Sequence, residues 1–81
     1  MKQEYKVGDY ITEIGGLPNT CKIINICPEE VWGHWYNTKN HKLFREGKLL
    51  YDTPQNVRPA TQEEIRIYKE EAEPQIVLEA L

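Results

Sequence analysis

The sequence predicts a mainly β, α+β fold: a small barrel or curled antiparallel sheet, one C-terminal helix, and a short apolar tail. Three observations carry that expectation. Short runs rich in β-branched and aromatic residues are separated by Gly, Pro and Asn turns between residues 5 and 58. No helical period runs through that stretch. A helix-start signal then stands at Thr61-Gln62-Glu63-Glu64. With 81 residues the chain makes one domain, read as a β unit over 5–58, a helix over 61–73 and a tail over 75–81.

Tyr5 to Ile14 reads as a lead-in loop and a first strand, with Tyr10, Thr12 and Ile14 on one face and Asp9, Ile11 and Glu13 on the other. Gly15-Gly16-Leu17-Pro18-Asn19 is turn chemistry. Thr20 to Cys27 is a β-branched strand. After the Pro28-Glu29-Glu30 turn, Val31 to Tyr36 forms an aromatic strand. Trp32, His34 and Tyr36 share one face of it, Val31 and Trp35 the other. Asn37 to Gly47 reads as a polar loop anchored by Leu43-Phe44. Lys48 to Tyr51 is a short strand, and Asn56-Val57-Arg58 pairs as the last. In the helix, Thr61 accepts from the Glu64 amide while Glu64 reaches back, and the early glutamates suit the positive end of the helix dipole. Ile65, Tyr68 and Ala72 recur at helical spacing and should face the barrel. Pro74 is expected to end the helix, leaving Gln75 to Leu81 as an apolar tail.

The formal net charge of −3 gives no general case for nucleic-acid binding, but its distribution is uneven. Residues 61–81 carry six acids against two bases, whereas residues 34–48 carry four bases against one acid. A locally basic face thus sits on an acidic protein. No run of about 18 apolar residues suggests a membrane span. The first residues, Met1-Lys2-Gln3-Glu4-Tyr5, lack the apolar core of a secretory signal. A cytoplasmic location is expected. Cys21 and Cys27 agree with it: on one strand they stand about 20 Å apart, too far for a disulfide, and read as reduced packed thiols.

Residues 32–48 hold both tryptophans, both histidines and four of the ten Lys/Arg. Flat rings beside cations suit a ligand with a π face and an anionic group, which describes a nucleotide. The expected ligand-binding set is Trp32, His34, Trp35, Tyr36, His41, Lys42, Arg45 and Lys48. If Val31 and Trp35 are buried, Trp32, His34 and Tyr36 form an exposed row; the opposite orientation leaves Trp35 as the exposed ring. Arg45 suits phosphate best, since a guanidinium grips it with two parallel hydrogen bonds and also stacks on a base.

Enzyme and metal chemistry find little support. The chain contains no serine, so a Ser-His-Asp triad is excluded. Gly15-Gly16 lacks the Lys-Ser/Thr of a phosphate-binding loop. Cys21, Cys27, His34 and His41 are spaced too widely for a zinc knuckle. No cofactor, metal site or catalytic activity is expected.

The opening Tyr5-Lys6-Val7-Gly8-Asp9-Tyr10-Ile11 resembles the first strand of Src-homology-3-like small barrels. Val57-Arg58-Pro59-Ala60-Thr61-Gln62-Glu63-Glu64-Ile65 resembles the tail of small phage-encoded accessory proteins built on such barrels. Those proteins include inhibitors of host defence enzymes and sponges for cyclic-nucleotide signals. The resemblance implies a non-enzymatic module that sequesters a cyclic or oligonucleotide signal in the host cytoplasm. Its alternatives are an inhibitor that lays the acidic helix against a host defence protein, and a structural accessory. A core this thin also predicts a homo-oligomer tied together by residues 76–81.

Overall fold

A computed structural model describes residues 4–80; Met1 to Gln3 and Leu81, the end of the expected tail, lie outside the described residues. The β strands are β1 (Tyr10–Glu13), β2 (Asn19–Cys27), β3 (Glu30–His34), β4 (Tyr36–Asn37), β5 (Lys42–Leu43), β6 (Leu49–Asp52) and β7 (Val57–Pro59). Helix α1 (Gln62–Ile67), a π turn (Tyr68–Ala72) and α2 (Glu73–Ala80) follow. All pairings are antiparallel. One path runs β5-β4-β2-β1-β7, and β3 pairs with both β2 and β6.

Nine-residue β2 organises this topology. Its first half pairs with β1 and β4 and its second half with β3, with a register shift between Ile23 and Asn25. The extra residue bends the strand, so one curled sheet faces itself. No ladder joins β6 to β7 among the described residues, so the sheet is curled but not closed. Ile11, Cys21, Ile23, Val31, Trp35 and Val57 belong to the buried core. On the opposite face of β1 and β2, Thr12 and Thr20 are fully buried and share a 2.8 Å hydroxyl bond.

The helix lies over that second face. Tyr68 is buried, donates to the His34 carbonyl at 2.7 Å and meets the Tyr10 ring edge-on. Ala72 is buried and Ile65 half-buried, as the spacing predicts. The capping box forms in full. Its Glu64 does more than cap: Oε1 also accepts from Thr12 Oγ1 at 3.1 Å, and the carboxylate takes both guanidinium nitrogens of Arg58. One side chain therefore ties β1, β7 and the helix start together.

That hub is acid-sensitive. The Arg58 guanidinium, with the Thr61 amide and Thr12 hydroxyl, outweighs desolvation and holds the Glu64 carboxyl down at about 2. A carboxyl depressed in the folded state contributes stability above its unfolded value near 4.5, lost as pH falls toward 2. The thermal midpoint should drop across that window. In Glu64→Gln the same acid scan should be shallower, which differential scanning calorimetry at stepped pH reads directly.

Two expectations on chain organisation are corrected. The strand expected over Val31 to Tyr36 breaks at Trp35, and the expected loop contains the small β4–β5 hairpin. Pro74 does not end the helix, and residues 75–80 continue it instead of forming a separate tail. The physical reason lies in the π turn just before it. The Glu73 amide donates five residues back, to Tyr68. The wider turn moves the preceding carbonyls off the path of a proline ring, which also has no N–H to leave unpaired. Ile76 packs against the core, while Val77 and Leu78 are exposed.

Candidate functional site

The eight expected site residues divide between four places. Trp32 and His34 lie on the outer face of β3, each half-buried. Register places Tyr51 opposite Trp32 and Leu49 opposite His34 on β6. The Trp32 and Tyr51 rings lean together with centroids 5.0 Å apart and planes tilted by 40°. Tyr51 is 55% exposed. The outer face therefore carries two rows, an aromatic pair and then His34 with Leu49. Trp32 Nε1 and His34 Nδ1 are screened from solvent and bond nothing among the described residues.

Arg45 and Lys48 lie next to this outer-face stripe along the chain but not on it: Lys48, extended and one residue before Leu49, takes the opposite face of the strand by alternation. They belong to the turn that leads into β6, where the Lys48 amide donates to the Arg45 carbonyl at 3.2 Å. Both side chains are exposed, and the Arg45 guanidinium sits 5.9 Å from the Phe44 ring centre. Arg45 (φ 49°) and Glu46 (φ 54°) both adopt left-handed backbone, followed by Gly47 (φ 79°). Two successive non-glycine residues in that region cost of order 1–2 kcal/mol each. A looser turn would relieve this, so it is the surrounding structure that keeps this strained turn, and Arg45 with it, just before β6.

Trp35 and Tyr36 are placed in the core, which corrects the expectation that they face a ligand. Trp35 is 4% exposed and Tyr36 1%. Strict alternation would bury only one of them. The strand breaks between them because the Trp35 carbonyl accepts from the Phe44 amide and its indole Nε1 donates to the Leu50 carbonyl. Tyr36 then turns its hydroxyl to Glu71 at 2.7 Å, and burial with that acceptor raises the phenol to about 12.

His41 and Lys42 sit apart from the stripe, on the β4–β5 hairpin. His41 (φ 60°) lies 2.6 Å from Glu71 through Nδ1, so Glu71 bridges the hairpin and the core. Lys42 is exposed on β5. Cys21 and Cys27 both lie on β2 as free thiols. Burial pushes the Cys21 thiol well up, away from thiolate chemistry. Among the described residues no three His, Cys, Asp or Glu side chains converge as metal ligands, and no helix is long and apolar enough to cross a membrane.

Sequence reasoning missed Tyr51, Leu49 and Glu71. The signal for the first two was present: Leu49 and Tyr51 alternate around Leu50, so pairing β6 with β3 puts a tyrosine beside a tryptophan. Glu71 gave no signal, because its partners lie 30 and 35 residues away. No protein-family model matches the chain, and no curated protein matches it either.

Proposed function

We propose that this chain is a non-enzymatic binding module whose outer sheet face takes an anionic, base-containing nucleotide. The observation that carries the reading is the outer-face pairing of Trp32 with Tyr51 and His34 with Leu49, with the exposed Arg45 and Lys48 on the turn just before β6. A base stacks on Tyr51, exposed beside the half-buried Trp32, and Arg45 holds its phosphate, with Lys48 adding to the local positive field. The resemblance to small phage accessory proteins gives such a module a role in sequestering a nucleotide signal against host defence.

The competing reading, an acidic helix covering a host protein's nucleic-acid groove, draws less support. Glu64 is committed to Arg58 and Thr12, Glu63 and Glu70 to Arg66, Glu71 to His41 and Tyr36, and Glu73 to Tyr10. Carboxylates already paired within the fold mimic phosphate poorly.

Isothermal titration against mono-, di- and cyclic nucleotides tests the proposal. One charge-assisted bond to phosphate is worth about 1.5–3 kcal/mol. Arg45→Ala should therefore weaken binding roughly 10- to 100-fold. Its melting temperature should stay nearly unchanged, since the side chain is exposed and alanine meets the same left-handed backbone. Equal binding by both proteins, or none at millimolar ligand, leaves the acidic helix as the better account.

A further inference from the structure

We infer that β6 is a self-complementary edge through which two copies of this chain pair antiparallel. The inference goes beyond nucleotide binding and does not depend on it.

The outermost strands differ in how they are protected. β5 has two residues, and β7 ends at Pro59. The second half of β2 carries the bulge, and Asn25 Oδ1 takes the Ile26 amide. β6 has no such device: it runs Leu49-Leu50-Tyr51-Asp52 without proline, glycine or register shift, and pairs only with β3 among the described residues. Leu49 is 38% and Tyr51 55% exposed. Unprotected apolar edges are templates for another strand.

Geometry then selects the occupant. Backbone hydrogen-bonding groups point to alternate sides along a strand, so two identical antiparallel strands related by a two-fold axis pair only in registers centred on a residue. Centring on Leu50 sets Leu50 against Leu50 of the second copy and Leu49 against its Tyr51. Lys48 then stands opposite Asp52, twice by symmetry. Lys48 is exposed, and Asp52 uses Oδ1 for the Thr53 amide and Asn56 side chain, while Oδ2 bonds nothing among the described residues. The sequence Lys48-Leu49-Leu50-Tyr51-Asp52 is thus complementary to itself in both charge and hydrophobicity. Pairing also joins the two outer faces into one floor, with Tyr51 of each copy beside Leu49 of the other.

A charge-swap pair tests this by sedimentation equilibrium, with folding confirmed by circular dichroism. The wild type should be a dimer at high micromolar concentration. Lys48→Glu sets Glu against Asp52 twice, and Asp52→Lys sets Lys against Lys48 twice; each alone should weaken the dimer by about tenfold or more. Mixed together, they restore two opposite-charge pairs and should dimerise. A monomeric wild type, a Lys48→Glu protein that dimerises as wild type does, or a mixture that stays monomeric would each overturn the inference. If Asp52→Lys fails to fold for want of its turn contacts, Lys48→Glu decides together with hydrogen exchange. Amides of residues 49–51 should gain protection with concentration in wild type and not in Lys48→Glu. Protection that instead builds up in residues 75–80 assigns association to the end of the helix and overturns the edge pairing.

Discussion

Trp35→Ala should cost about 3–5 kcal/mol of folding stability, the range for truncating a buried tryptophan. A domain of this size has in all roughly 4–12 kcal/mol, so the variant should be largely unfolded at physiological temperature. The side chain fills the interior of the curled sheet, and its indole nitrogen occupies the Leu50 carbonyl of β6. Removing it opens a cavity and releases one link between the β3 end and β6. Trp32→Ala should behave differently. Trp32 is half-buried on the outer face and its nitrogen bonds nothing within the described fold. That variant should keep its circular dichroism and a cooperative urea transition. Similar transition midpoints for the two variants would contradict the placement of one ring inside and one outside.

Gly33→Ala should be the second severe change, at about 1–3 kcal/mol through overpacking. A Cβ at Gly33 would lie 2.7 Å from Cys21 Sγ and 2.7 Å from the Lys22 carbonyl oxygen. The sulfur can turn aside, but the carbonyl belongs to β2 and moves only with the strand. β3 must then lift off β2 at the Ile23–Gly33 pair, next to the bulge. Adding Cys21→Ala removes one of the two clashes and should recover only part of the loss. Complete recovery would assign the whole effect to the thiol, and an unchanged urea midpoint in Gly33→Ala would show that β2 yields freely.

Much of this architecture is legible in the residues themselves. The faces of β1 follow from alternation, with Ile11 buried in the interior and Thr12 under the helix. The run from Thr20 to Cys27 is one strand, and Thr61 with Glu64 caps the helix. These features rest on local chemistry or on a period sustained over several residues. What escaped the sequence is decided by distant partners. The break at Trp35 depends on Phe44 and Leu50, and two-residue strands such as β4 and β5 have no period to detect. Pro74 reads as a stop because an ordinary α turn would clash with its ring; the π turn ahead of it removes that conflict. The candidate site was legible only as a composition of rings and cations near residues 32–48. Its membership was not, because Tyr51 enters only through cross-strand register and Tyr36 leaves only through the strand break.

The most direct measurement of the central claim uses the chain's two tryptophans as reporters. In a nitrogen–proton correlation spectrum the two indole Nε1–H groups give two signals, assigned with Trp32→Phe. On titration with a cyclic or linear dinucleotide, the Trp32 signal should shift progressively, together with the backbone amides of His34, Leu49 and Tyr51 on the outer face and of Arg45. The Trp35 signal, locked on the Leu50 carbonyl inside the core, should hardly move. Shifts confined to the helix, or a spectrum unchanged at millimolar ligand, would contradict a nucleotide site on the outer sheet face.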